Sequence, residues 1–353
     1  MMTLWQFASG VEVVPATTSW YLADLGEARG KQELFTRQSP QMLKVLREHA
    51  LIESAISSNR IEGVVVDQKR VGTIVFGRSH LRDRNEEEVR GYRDALKRVH
   101  ELGAKLPVSE HTIRELHRLS RGGLGDAGRY KQKDSDIIEK LPNGQVRVRF
   151  KTVPAAKTAA YMKETIRLFN EQMSARAIHP LILLAAMNVD FLCVHPFRDG
   201  NGRVSRLLLL LQCYGLGFEV GRYVSLERVI EENKDRYYET LEESSQGWHE
   251  GKHDPWPYIN YVLFVLKTAY REFEARAGQM KSPRGAKTAL VEAAIDGFTG
   301  QFTLTDLERA CPGVSRDMVR RVLRDLQRTK RVVCLGRGPG AVWRREGNTP
   351  ERG

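Results

Sequence analysis

Cysteine is scarce in this chain and scattered. Cys193, Cys213, Cys311 and Cys334 form no CxxC pair, so neither a thiolate zinc site nor a disulfide framework is indicated. Cys193 and Cys213 sit in apolar sequence and read as small buried hydrophobes. Long apolar runs are also missing. The longest, Leu181 to Met187 and Leu207 to Leu211, fall well short of the roughly 20 residues that span a bilayer. The N-terminus, Met1-Met2-Thr3-Leu4-Trp5-Gln6, lacks a basic segment followed by an apolar one, so no export is expected and a reducing cytoplasm fits.

The 353 residues suggest two or three folding units with enough apolar side chains for a core. The net charge of +12 favours acidic partners. From Pro283 onward there are fourteen Lys or Arg against eight Asp or Glu, so half of the net charge lies in the last fifth of the chain. Nucleotide and nucleic acid are both candidate anions.

Residues 1–38, with Gly10, Pro15, Gly26 and Gly30, read as an irregular N-terminal arm or docking segment. Ser39-Pro40 supplies a cap and a first-turn proline for a helix running to Ile61, which Gly63 ends. Helical periodicity follows over 86–101, 109–119, 155–172, 181–194, 204–214, 226–246 and 256–274. Between the first of these helices, Asn143-Gly144 and the alternating Val146, Val148 and Phe150 read as a β-hairpin within 130–153.

Residues 276–287 read as a linker. Residues 288–345 then offer three helical segments and a Gly-Arg-Gly-Pro-Gly turn between two apolar strands, which resembles a winged helix-turn-helix domain. On its third helix Val319, Val322, Leu323 and Leu326 make the apolar stripe, while Arg316, Arg320 and Arg324 align on another face. Those arginines, with Arg337 in the wing, could meet DNA, or form a solvated basic face in a docking module. No aromatic platform for single strands is present there.

The densest chemistry lies in His195 to Arg206, HPFRDGNGRVSR. Gly200-Asn201-Gly202 lets backbone N–H groups approach anionic oxygens, and a helix opening directly after it adds its positive end. Arg203 and Arg206 share a helix face. Asp199 can hold a hard cation such as Mg2+, and His195 can take a proton near neutral pH. Singly, each residue has an ordinary structural use. Together they suit a metal-assisted triphosphate site.

The run resembles the signature of the Fic family, HxFx(D/E)GNGRxxR, at every specified position. The resemblance extends over roughly residues 40–270, taking in the helix from His179 and the Tyr237, Tyr238 and Leu241 segment. It implies a mainly α fold: a Fic helical bundle at 39–275 with a β-hairpin flap, plus the small winged-helix domain. The function implied is protein adenylylation, in which AMP passes from ATP to a Ser, Thr or Tyr hydroxyl of a protein docked on the 130–153 flap, releasing pyrophosphate. His195 would be the base, Asp199 the Mg2+ ligand, and Gly200, Asn201, Gly202, Arg203 and Arg206 the phosphate cradle. Tyr237 and Tyr238 would border the nucleoside. Phe197 would pack inward.

Ser58 and Glu62 resemble the family's inhibitory motif (S/T)xxxE(G/N), here on a helix at 40–63 that precedes the catalytic core. Paired with Arg206, Glu62 would compete with the triphosphate. The chain departs from the family where Lys131 replaces a frequent arginine and Ser245 a frequent asparagine. Removal of AMP and a nucleotide-sensing DNA-binding regulator are the alternatives. A homodimer through an exposed face of the catalytic domain stays open.

Overall fold

A computed structural model of the chain describes residues 2–10, 13–36, 40–77, 80–123, 125–140, 144–278, 286–298, 300–311, 314–336, 338 and 340–346. Ser39, Asn143, most of the 276–287 linker and Arg337 lie outside the described residues.

The first helices are α1 (Thr3–Ala8), α2 (Ala16–Thr36), α3 (Pro40–Ile61), α4 (Val71–Phe76), α5 (Arg84–Leu102) and α6 (Glu110–Arg121). A hairpin of β1 (Ile137–Lys140) and β2 (Val146–Phe150) follows. Then come α7 (Ala155–Ala175), α8 (Pro180–Val194), α9 (Asn201–Gly215), α10 (Leu226–Glu232), α11 (Lys234–Ser245) and α12 (Trp256–Gly278). The chain closes with α13 (Ala286–Asp296), β3 (Gln301–Thr303), α14 (Leu304–Ala310), α15 (Arg316–Arg328), β4 (Val332–Cys334) and β5 (Val342–Arg345). Among the described residues no helix is long and apolar enough to cross a membrane.

Local chemistry sets the helix starts. The side chains of Asp83 and Ser109 accept the N–H of Glu86 and Thr112 at the heads of α5 and α6, and Thr303 and Asp306 form a reciprocal capping box on α14. Pro180 occupies the first turn of α8, where no N–H is needed.

Every residue of α8 from Leu181 to Val194 is buried, so the helix is the hub of the bundle rather than one of its faces. Its two polar side chains are fully used. Asn188 donates to Ser205 O (2.9 Å) and accepts from Tyr258 Oη (2.8 Å). Asp190 accepts Thr3 N (2.7 Å), Leu4 N (2.9 Å) and Trp248 Nε1 (2.8 Å), and so caps α1 from another helix.

Of the two readings of the N-terminal segment, an irregular arm or a docking segment, its described residues fit the second. Two helices dock on the bundle there, α1 held at its start by Asp190 and α2 packed on α12. The single helix read over 226–246 is two. Asn233 leaves helical geometry (φ −118°, ψ 35°) and its side chain donates to Val229 O (2.8 Å).

The hairpin pairs antiparallel, Ile138 opposite Val148 and Lys140 opposite Val146. Glu242 on α11 clamps Arg147 and Arg149 of β2, which fixes the hairpin over one end of the bundle. The last six elements build a second core around Leu290, Leu307, Val319 and Leu323, with a sheet in the order β3-β5-β4.

The three N–H donors on Asp190 give a first prediction. Asp190→Asn cannot accept all three and turns an amide N–H toward a donor, so it should lower unfolding free energy by about 1–3 kcal/mol, read by chemical denaturation.

Candidate active site

The site begins where α8 stops. His195 takes a left-handed conformation (φ 51°, ψ 61°) and its N–H closes the helix on Phe191 O at 2.9 Å. The ring Nδ1 lies 3.3 Å from Leu192 O, which assigns the proton to Nδ1 and leaves Nε2 as the acceptor. Burial pushes the imidazole down to about 4, helped by the nearby Lys131 ammonium, so the ring is neutral at pH 7. Lys131 donates to Thr152 Oγ1 (2.7 Å) and Val194 O (3.2 Å), and its own burial lowers it to about 8.

The loop after His195 is held from inside. Phe197 is fully buried and stacks on His117, ring centroids 3.7 Å apart. Asn201 accepts Phe197 N (2.9 Å) and donates to Phe197 O (2.8 Å), closing the loop on itself. Gly200 caps α9 in the left-handed region at φ 84°, and the first turn of α9 offers N–H groups without intrahelical partners.

Glu62 lies directly on this cradle. Its Oε1 accepts Arg206 Nη2 at 2.8 Å, and a Cβ at position 202 would stand 2.2 Å from that same oxygen, so only glycine fits beneath it. Arg206 also donates from Nε to Ser58 Oγ (2.9 Å) and from Nη2 to Ser58 O (2.8 Å). Its Nη1 is buried with no partner among the described residues. Gly63, at φ 81°, ends the segment as expected.

A second cluster fixes Asp199. Buried Glu88 accepts Arg203 Nη1 (2.6 Å), Arg121 Nη1 (2.9 Å) and Arg84 Nε (2.9 Å). The same three arginines reach Asp199, at 3.3, 2.7 and 3.0 Å. Burial alone would raise the Asp199 carboxyl, but Arg203 and Arg121 outweigh it and hold it below its ordinary value. His117 accepts Gly128 N on Nδ1 (2.8 Å), so its Nε2 carries the proton and donates to Asp199 O (3.0 Å).

Asp199, Gly200, Asn201, Gly202, Arg206, His195, Ser58 and Glu62 thus converge as the sequence suggests. Arg203 is placed differently: its side chain is 1% exposed and its Nη groups go to Glu88, Asn59 and Asp199. Glu88, Arg121, His117 and Arg84 gave no signal in the sequence. The contacts that tie Glu88 to Arg121 and Arg203 cross 33 and 115 residues, and an acidic run such as Glu86 to Glu88 reads as a solvated helix start.

A cavity of ≈ 370 Å³ opens beside the cradle, lined by Glu62, His195, Gly202, Tyr237, Tyr238, Leu241 and Ser245 and by the hairpin's Ile138 and Arg149. Tyr238 Oη donates to Ile61 O (3.3 Å), while Tyr237 is buried behind it.

A helix–loop–helix anion cradle crossed by a hairpin, in a bundle built around one buried helix, is the Fic fold. Residues 107–213 match the model of the Fic/DOC family, with the whole His195 to Arg206 run inside the match. Over 253 residues the chain is 26% identical to "Protein adenylyltransferase Fic" of Nematostella vectensis, covering 68% of this chain and 52% of the relative. The chain therefore spans about half the length of that relative, and 41% of a homologous protein from Drosophila persimilis. A Fic family protein from Desulfovibrio desulfuricans superposes with TM-score 0.59 at 22% identity, over 96% of this chain and 98% of its own. A Fic domain protein from Bacteroides thetaiotaomicron gives TM-score 0.61 at 21% identity, over 73% and 98%.

The cluster predicts an asymmetry among its arginines. Arg203→Ala takes from Glu88 the most deeply buried of its three guanidinium partners and should cost about 1.5–3 kcal/mol, whereas Arg84→Ala, 59% exposed, should stay within about 1 kcal/mol in the same denaturation assay.

Proposed function

We propose that this chain is a self-inhibited protein adenylyltransferase, which moves AMP from ATP to a hydroxyl of a protein. One observation carries the reading: Arg206 points a buried, unpartnered Nη1 at the Gly202 cradle while Glu62 occupies the cradle's opening. A triphosphate supplies what that donor lacks. Glu62 supplies a charge that repels it.

In this mechanism the adenosine enters the cavity beside Tyr237 and Tyr238, and the first turn of α9 receives the α- and β-phosphates. Arg206 binds the terminal phosphate. Arg203, already engaged, lends its charge from beneath the loop and keeps Asp199 oriented. His195 Nε2 takes the proton of the incoming hydroxyl as its oxygen bonds the α-phosphorus. The bond from that phosphorus to the α–β bridging oxygen breaks, and pyrophosphate leaves.

Asp199 fits a Mg2+ ion, because its half-exposed carboxylate stands at the cradle and Mg2+ commonly takes one or two carboxylates with water and phosphates. Arg84, being the exposed partner, is the one to move aside. Bound there, the ion would neutralise phosphate charge. The exposed flap residues Ile138, Val146 and Val148 offer an edge for a protein segment.

ATP labelled at the α-phosphate, supplied with Mg2+, tests this. Glu62→Gly should raise label on protein about ten-fold or more over wild type, and adding His195→Ala should remove it about 10²-fold or more. Label unchanged by Glu62→Gly would defeat self-inhibition, and loss of label from AMP-protein would favour AMP removal. The neutral imidazole also sets a pH profile. With its pKa near 4, kcat/KM of the Glu62→Gly protein should hold on the acid side to about pH 5 and fall below it, rather than fall through the usual histidine range near 6.5.

A second reading is favoured by α15, whose Arg320, Arg321, Arg324 and Arg328 are all exposed on a helix packed like the third helix of a winged helix-turn-helix. It makes the chain a nucleotide-sensing DNA-binding regulator. Duplex DNA binding should then weaken in Arg320→Ala and Arg324→Ala, with the salt slope reduced by about 1 per lost phosphate contact. Affinity that changes with ATP, without label in Glu62→Gly, would put this reading first.

A further inference from the structure

The helix that delivers Glu62 belongs to two cores. Its C-terminal end places Ser58 and Asn59 against Arg206 and Arg203, with Glu62 one residue past the helix. Its N-terminal half is shared, with Leu43 and Leu46 in the core of the bundle. Val45, 1% exposed, is part of the second core formed by α13, α14 and α15. His49, 3% exposed, sets its ring edge-on to Phe298 at 5.4 Å and bonds the Gly297 backbone.

The same C-terminal unit touches the chain again just beyond the brake. β3 packs beside the 3-10 turn Gln68–Arg70, and a Cβ on Gly72 would meet Asp306 Oδ1 at 3.6 Å. The segment carrying Glu62 is thus strung between two attachments to one body. Midway along α3, Ser54 Oγ donates to Glu227 (2.6 Å) and lies within hydrogen-bond distance of Ser225 Oγ (2.9 Å), a fulcrum on the helical bundle. From His49 to Glu62 the helical rise is about 20 Å. A packed helix passes displacement along its axis rather than absorbing it.

We propose that the C-terminal unit controls the brake: its grip on Val45 and His49 sets where α3 lies, and thereby whether Glu62 reaches Arg206. The proposal rests on the self-inhibition reading above for its effect on activity. Loosening the grip releases Glu62 without touching the cradle, so the C-terminal unit is a control element of the site and not an independent appendage.

The test uses the full chain. Gly297 is tight against α3, where a Cβ would stand 2.4 Å from His49 Nδ1, so Gly297→Ala wedges the contact from one side. His49→Ala removes it from the other. Hydrogen exchange is followed over 45–50 and 56–63, beside labelling from α-labelled ATP with Mg2+. Both variants should quicken exchange over 56–63 and raise labelling about five-fold or more, the size of a modest coupling energy. Combined with Glu62→Gly, neither should add to what Glu62→Gly achieves alone.

Faster exchange confined to 45–50, with wild-type labelling while Glu62→Gly activates, would overturn the proposal. So would additive activation in the combined variant. If Glu62→Gly fails to activate, the self-inhibition reading falls by itself, and exchange over 56–63 still decides the coupling: quickened exchange supports it and wild-type exchange there overturns it.

Discussion

One buried carboxylate organises the catalytic loop. Glu88 is 2% exposed and neutralises Arg203, Arg121 and Arg84, side chains brought from α9, α6 and its own helix. An arginine as deeply buried as Arg203 is tolerable only with such a partner. With Glu88 in place, the three guanidinium groups form a platform whose other side grips Asp199, and Asp199 sets the turn into Gly200. His117 completes the platform by holding the Asp199 carbonyl and stacking under Phe197.

This support is distinct from the reactive groups it carries. His195, Glu62 and Gly202 in the first turn of α9 line the cavity, whereas Glu88, Arg121 and His117 do not. The division lets the loop hold a rigid shape yet leave donors unsatisfied. Arg206 Nη1 is such a donor, and a buried donor without a partner is a cost that a bound anion relieves. Glu62 answers only part of that need, since it bonds Nη2 and leaves Nη1 open.

The other end of the helix that leads to Glu62 shows how the two cores meet. Val45 and His49 are buried by residues almost 250 positions later in the chain, and Glu62 leaves the same helix toward residues of α9. α3 has little amphipathic character of its own because it is covered from more than one side. Its position is a compromise between two bodies, which is the physical basis for a link between them.

The local chemistry was legible in order along the chain. The HPFRDGNGRVSR run, the Ser58 and Glu62 spacing, the helix ends at Gly63 and Pro180, and the alternation of Val146, Val148 and Phe150 are properties of neighbouring residues, and the structure realises each of them. The N-terminal helices were not legible, because Asp190, nearly two hundred residues away, holds α1, and α2 packs on the still more distant α12. Nor was the support of Asp199, since nothing within α5 marks Glu88 off from Glu86 and Glu87 beside it. The sequence by itself determined the elements, the reactive groups and their spacing, since backbone propensity and helical periodicity act over a few residues. Only the tertiary structure decided which charges were buried together, that Arg203 faces Glu88, and that α3 joins two cores, because desolvation and ion pairing depend on what folding brings close.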